Sequence, residues 1–326
     1  MKRTESTLTG DDGTPIFLRH WSPDDASAGG DAGDGGVVPR GAIQVAHGLA
    51  EHSGRYEDFA EAMVAAGFLV YASDHRGHGR TVLDDRDLGF FAPPEEDGWD
   101  RVLADLAVVQ AHVARSHPGL PRLLVGHSMG SFLALDLVAR LAPHTFVGLV
   151  LSGSKKGGGP MVQAGRLAAR AERARLGPRG RSQVLNFLSF GSYNRPFRPT
   201  RTAFDWLSRD PQQNDAYVSD PRCGFVATTQ LWVHFLDALA RLGRSETFAS
   251  VPRELPILMI AGGDDPVANQ PPPFEALAQA LTSAGVRQLR TRRYPGARHE
   301  LFHETNRDEV FRDLLGWIDE RLGAPS

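Results

Sequence analysis

Ser128 stands at the centre of Gly126-His127-Ser128-Met129-Gly130. A serine hydroxyl is a weak nucleophile until a base takes its proton, and that base needs a partner to hold its ring. The apolar run Leu123-Leu124-Val125 before this pentapeptide reads as a buried strand, and Phe132 to Val138 after it as a helix. In that context Gly-x-Ser-x-Gly is the pattern of a nucleophile elbow, a strand-to-helix turn tight enough to need glycine two residues on either side of the serine. The turn pushes the hydroxyl outward and aims the first N–H groups of the helix towards it. In such sites the chain order is Ser, then Asp or Glu, then His. Asp264 and Asp265, in Ala261-Gly262-Gly263-Asp264-Asp265-Pro266-Val267, supply the acid, and His299, in Tyr294-Pro295-Gly296-Ala297-Arg298-His299-Glu300, the base. An oxyanion hole needs two backbone donors, one from the residue after the nucleophile. That residue is Met129. Leu49, in the turn after a strand ending at His47, is the candidate for the second.

The elements that must position these residues follow from the hydrophobic pattern. Two strands around Asp11-Asp12-Gly13 fill the first 22 residues. A loop rich in Gly, Asp, Ala and Pro is expected over 23–40. Strands are expected at 42–46, 68–72, 123–125, 146–151, 255–260 and 288–294, and helices at 56–66, 99–117, 274–284 and 306–322. Strand–helix alternation implies parallel strands with crossover helices, and near-continuous apolar strands imply a sheet covered on both faces. The acid and the base both fall at the carboxyl ends of strands, where such sheets gather their chemistry. The alternation stops at Ser152. From Lys155 to about Ser250 there is no clear strand, and helical patches at 164–176 and 228–242 lie between loops rich in Arg, Pro and aromatics. The expectation is an α/β core, 1–152 and 251–326, with an inserted helical cap, 153–250.

Composition narrows the class. The chain has 326 residues, 41% of them hydrophobic, and a net charge of −3. No global field favours nucleic acid. The single cysteine, Cys223, excludes an intramolecular disulfide and a Cys-based metal cage and suits a reducing, cytoplasmic compartment. No apolar run follows the first charged residues, so no signal peptide is expected, and no stretch approaches a membrane span.

Beyond the elbow, several segments carry a resemblance. His47-Gly48-Leu49-Ala50-Glu51-His52-Ser53-Gly54-Arg55-Tyr56 resembles the oxyanion segment of monoacylglycerol lipases and bacterial lysophospholipases of the α/β-hydrolase superfamily. Asp74-His75-Arg76-Gly77-His78-Gly79, the elbow, 262–267 and 296–299 match the same family in order. The cap segments 205–210 and 220–225 are similar to those of its bacterial members. The resemblance implies the α/β-hydrolase fold, Ser128 as nucleophile, His299 as base, Leu49 and Met129 as oxyanion donors, and Asp265 rather than Asp264 as acid. It also implies a monoacylglycerol or lysophospholipid substrate and no metal or organic cofactor. The residues themselves support an ester with an apolar acyl group, through cap aromatics that serve equally as cap core: Phe187, Phe190, Tyr193, Phe197, Trp206, Phe225, Trp232 and Phe235.

Plainer readings stand beside these. Asp74 precedes the nucleophile, the wrong order for the acid, and suits a structural turn. His47, His75, His78 and His127 read as hydrogen-bonded turn residues, and Cys223 as a small buried hydrophobe. His299-Glu300-Leu301-Phe302-His303 matches a zinc-peptidase signature, which requires both histidines on one helix. Pro295-Gly296 just before it argues against that helix. Arg166, Arg170, Arg173, Arg175, Arg179 and Arg181 read either as a basic cap face that meets an anionic membrane peripherally or as a solvated helix face. The plainer reading is preferred. Two rival functions remain: a serine aminopeptidase, for which Glu51, Asp237 and the acids near Asp215 could hold a substrate amine, and a non-catalytic binding protein on the same fold.

Overall fold

The structure is a computed structural model and describes residues 1–24, 38–270 and 273–323. The loop expected over 23–40 lies mostly outside the described residues. Eight strands form one sheet: β1 (Lys2–Thr9), β2 (Pro15–Ser22), β3 (Gly41–Ala46), β4 (Phe68–Ser73), β5 (Arg122–His127), β6 (Gly148–Ser152), β7 (Ile257–Gly262) and β8 (Leu289–Tyr294). Their order is β1-β2-β4-β3-β5-β6-β7-β8. The β1–β2 and β2–β4 pairings are antiparallel, and every pairing from β4 onward is parallel. The helices are α1 (Glu57–Ala65), α2 (Gly98–Ser116), α3 (Met129–Arg140), α4 (Pro160–Leu176), α5 (Gln183–Phe190), α6 (Pro211–Ser219), α7 (Thr229–Leu242), α8 (Ser245–Ala249), α9 (Phe274–Ser283) and α10 (Arg307–Leu322).

Strand periodicity divides the core into two layers. Leu123, Val125, Val150, Leu258 and Ile260 join Phe59 of α1 and Trp317 of α10 on one face. Leu124, Leu149, Leu151, Ile257 and Met259 join Trp99 of α2, Leu133 of α3 and Leu277 of α9 on the other. This double covering is why β3 to β7 are apolar on both faces. The edge strands depart from that pattern. Arg290, Thr291 and Arg292 of β8 are exposed, and the two arginines pair with Glu320 and Glu309. Charge on an open edge blocks pairing with another chain.

Helices α4 to α8 lie between β6 and β7. The C-terminal ends of α4 and α7 match the expected helices, α4 begins earlier than expected, at Pro160, and α5, α6 and α8 were not legible. Local capping explains where α5 and α6 start: the Ser182 hydroxyl accepts from the Leu185 N–H at α5, Asp210 accepts from the Gln212 N–H at α6, and Pro211 opens that helix. An isolated bridge pairs Arg181 with Thr228.

Candidate active site

Ser128 occupies the turn between β5 and α3 at φ 51° and ψ −120°, a conformation costly for a residue with a Cβ. The surroundings enforce it. The Ser128 N–H donates to the Ser152 carbonyl at 2.9 Å, tying the turn to β6. A Cβ at Gly130 would fall on the carbonyls of Ala46 and His47, and one at Gly126 on the backbone of Gly130 and Ser131. The elbow therefore packs backbone to backbone against the end of β3, and both glycines are needed for that approach.

The candidate acid and base arrive on two neighbouring strand ends. Asp265 follows β7 and is fully buried, and one of its oxygens accepts the Val267 N–H at 2.8 Å. His299 follows β8, and its Nδ1 lies 3.0 Å from each Asp265 oxygen. Asp264 faces solvent, and its N–H donates to the Ala297 carbonyl. Burial works against charge on His299, but the Asp265 carboxylate and its hydrogen bond, with Glu300 and Glu51 behind, outweigh this and raise the imidazole pKa above its ordinary value. Burial likewise opposes the Asp265 charge, and the His299 charge prevails, so that carboxyl lies below its usual range. With Nδ1 committed to Asp265, Nε2 is the ring nitrogen left for proton transfer. Ser128 and His299 line the same cavity of about 280 Å³, though no hydrogen bond joins them.

Leu49 also lines that cavity, in the turn after β3. The Leu49 and Met129 N–H groups have no backbone acceptor among the described residues, whereas the Gly48 N–H is held by Glu51 at 2.5 Å. Ala50, at φ 57°, bends the chain back towards Glu51.

Cap aromatics divide into two sets. Phe187, Phe190, Trp206 and Phe225 line the cavity. The Trp206 ring lies 5.1 Å from the His299 ring, and the Trp206 and Leu207 carbonyls accept the His299 and Glu300 N–H groups at 3.4 and 2.8 Å. Tyr193, Trp232 and Phe235 pack inside the protein, and Phe197 lies beneath the Arg298 guanidinium.

The plainer readings can now be placed. Asp74 accepts the Ser53 and Arg80 N–H groups, each at 2.7 Å, and so braces two turns. His47 Nε2 accepts the His75 N–H at 2.9 Å, and His75 Nε2 donates to the His47 carbonyl at 3.1 Å. Burial lowers the pKa of His75 to about 3 and of His78 to about 4, so both remain neutral. His127 is buried with Nδ1 unpartnered beside His299. Cys223 is buried against Tyr193, Trp206 and Tyr217, and burial pushes its thiol pKa up, away from reactivity. His299 and His303 share no helix: residues 301–303 form a short 3-10 turn, α10 starts at Arg307, and His303 Nε2 donates to the Arg55 carbonyl. One further grouping could offer three ligand atoms to a metal, His52, Asp220 and Cys223. Both nitrogens of His52 are already engaged there, Nδ1 by the Gly54 N–H and Nε2 by Asp220, so the grouping is satisfied without an ion.

Two carboxylates border the cavity, Glu51 and Glu300, whereas Asp265 lies buried behind His299. Sequence reasoning named Glu51 only as a candidate amine ligand and missed Glu300 and their shared partner Arg55. No spacing signals a pair 245 residues apart.

A family model described as serine aminopeptidase, S33, matches residues 38–306. The chain is 31% identical to a monoacylglycerol lipase of Mycolicibacterium smegmatis, with 98% of each chain covered. It is 29% identical to human monoglyceride lipase over 97% of this chain and 91% of that one. Among solved structures, a thermostable carboxyl esterase from Bacillus coagulans in complex with glycerol superposes with a TM-score of 0.85 at 26% identity, covering 99% of both chains.

Proposed function

The chain belongs to the serine aminopeptidase S33 family, and from that premise we propose that it is a serine hydrolase of the lipase/esterase type, cleaving a monoacylglycerol or a lysophospholipid through an acyl-enzyme. The observation that carries this reading is the meeting of Ser128, His299 backed by the buried Asp265, and an apolar cap wall at one cavity. Ser128 Oγ attacks the ester carbonyl as His299 Nε2 takes its proton, and Asp265 holds the imidazolium through Nδ1. The tetrahedral oxyanion rests on the Leu49 and Met129 N–H groups; losing one such donor costs about a hundred- to a thousandfold in rate. The carbonyl re-forms, the C–O bond breaks, and the leaving alcohol takes the proton from His299. Water, deprotonated by His299, then attacks the acyl-enzyme, releasing the acid and restoring Ser128. This reading places the α/β core at 1–152 and 251–326 and the cap at 153–250. The relatives named monoacylglycerol and monoglyceride lipase support the substrate class.

An aminopeptidase would need a carboxylate free to hold the substrate amine. Glu51 and Glu300 are both bound to Arg55. Asp237 is taken by Arg166 and Arg170, and Asp215 by Arg201 at the surface. These pairings favour the ester. Hydrolysis of glycerol esters of graded chain length, run beside aminoacyl amides, tests the choice: turnover of the esters alone supports it, and turnover of the amides alone overturns it.

Access to a lipid fits the outer face of the cap. The six arginines read as a basic face are largely spent on partners, Arg166 and Arg170 on Asp237, Arg173 on Gln230, Arg175 on Glu172, Arg179 on Asp87, and Arg181 on the carbonyls of Leu88 and Val226. Apolar side chains are exposed beside them: Met161 and Leu167 on α4 are 77% and 71% exposed, and Val184, Phe187 and Leu188 on α5 are 51% to 63% exposed. Phe187 is at once exposed and part of the cavity wall. Peripheral contact with a lipid surface would bury this patch at the cavity mouth. Among the described residues, no helix is long and apolar enough to cross a membrane.

A further inference from the structure

Arg55 lies between two loops that the chemistry must hold at a fixed separation. Its guanidinium donates to both oxygens of Glu300, at 2.5 and 2.7 Å, and to Glu51 Oε2 at 3.1 Å. Glu51 Oε1 accepts the Gly48 N–H at 2.5 Å and the Tyr56 hydroxyl at 3.1 Å. Gly48 precedes Leu49 in the chain, and Glu300 follows His299. Through Glu51, Arg55 thus connects the neighbour of an oxyanion donor to the neighbour of the base. The network is closed from other sides as well. The Arg55 carbonyl accepts from His303 Nε2 at 2.7 Å. The Tyr217 ring lies 4.8 Å from the guanidinium, and the Tyr217 hydroxyl donates to the Ala50 carbonyl at 2.9 Å.

Burying such a cluster is a poor way to gain stability. Charges taken out of water rarely recover their desolvation cost, and apolar packing of similar volume often does better. The Arg55, Glu51 and Glu300 side chains are 9%, 2% and 4% exposed. What the cluster supplies is geometry, since a planar guanidinium grips a carboxylate at two points and a lysine cannot. It also carries one negative charge in excess, two carboxylates against one guanidinium. The ionisable groups acting on His299 are Asp265, Glu300 and Glu51, with the His127 ring 4.8 Å away, Arg55 bound to Glu300, and Lys155 near Asp265. Burial, aided by the His299 charge, lowers the pKa of His127 to about 3, so it brings no charge of its own.

We propose that Arg55 and Glu300 are positioning residues for the hydrolysis: the guanidinium fixes the oxyanion turn against the base loop, and the excess carboxylate favours the imidazolium formed when His299 takes the serine proton. The inference rests on the reading of His299 as general base. It goes beyond that reading by assigning work to groups that act through the oxyanion turn and the base loop and not on the reacting atoms.

The test uses the full-length protein with Glu300→Gln, which keeps the volume, and Arg55→Lys, which keeps the charge. Rates on a monoacylglycerol are normalised to the sites titrated by a fluorophosphonate. Glu300→Gln should lower kcat about tenfold with little change in KM and move the acid limb of kcat/KM to lower pH by about half a unit. Arg55→Lys should also lower kcat about tenfold while leaving that limb in place, because it changes geometry and not charge. If Glu300→Gln keeps both its kcat per titrated site and its acid limb, even with a lower melting temperature, the network is structural only and the proposal is wrong. If the unaltered protein does not react with the fluorophosphonate, the hydrolase reading itself fails, and the proposal with it.

Discussion

The imidazole of His299 is held by Asp265, with Nδ1 3.0 Å from both carboxylate oxygens, and not by the adjacent Asp264, which faces solvent. A buried carboxylate in this position fixes the ring and its tautomer. An amide of the same shape can donate to Nδ1 and leave the proton on the wrong nitrogen. Asp265→Asn is therefore expected to lower kcat by about 10⁴. Asp264→Asn should stay within about twofold. Steady-state rates of the two variants on one ester substrate check the assignment, and equal losses would count against it.

The same pairing sets a pH dependence. As the proposed base His299 must be neutral to work, and Asp265 raises its pKa above the ordinary value of 6.5 once burial has been overcome. Activity is lost as pH falls through the raised pKa, so the acid limb of kcat/KM should lie above pH 6.5. In Asp265→Asn the largest raising charge is gone and only Glu300 and Glu51 still oppose burial, so the limb should move to lower pH. A pH–rate profile of both proteins decides it, and an acid limb that stays put on removal of Asp265 would contradict the pairing.

Contact with lipid should depend on apolar side chains more than on charge. Replacing exposed Leu167 and Leu188 by Ser should abolish flotation with phosphatidylcholine vesicles. Arg175→Gln, which removes one arginine of a surface pair, should leave flotation unchanged. Flotation that needs anionic lipid and vanishes in salt would favour a basic surface instead.

How far the sequence led depends on the local physics of each part. The parallel core was legible because β3 to β7 are buried on both faces and read as apolar runs. The elbow was legible because its two glycines answer a steric demand. Helix α5 was not, because Val184, Phe187 and Leu188 are exposed and no polar face marks its outer side. Helix α6 buries only Asn214 and Tyr217, too few for a stripe. The choice between Asp264 and Asp265 could not be made from residue type, since both are aspartates at one strand end; burial separates them. Arg55, Glu51 and Glu300 were hidden for another reason: each looks like an ordinary charge until the fold brings 245 residues of separation down to a hydrogen bond.

The account turns on Ser128 as the nucleophile. Mass spectrometry of the protein after reaction with a fluorophosphonate, compared with Ser128→Ala, measures this directly. The expected result is one adduct on Ser128, complete loss of labelling in the variant, and loss of monoacylglycerol hydrolysis in the same sample. An adduct elsewhere, or hydrolysis that survives in Ser128→Ala, would contradict the account.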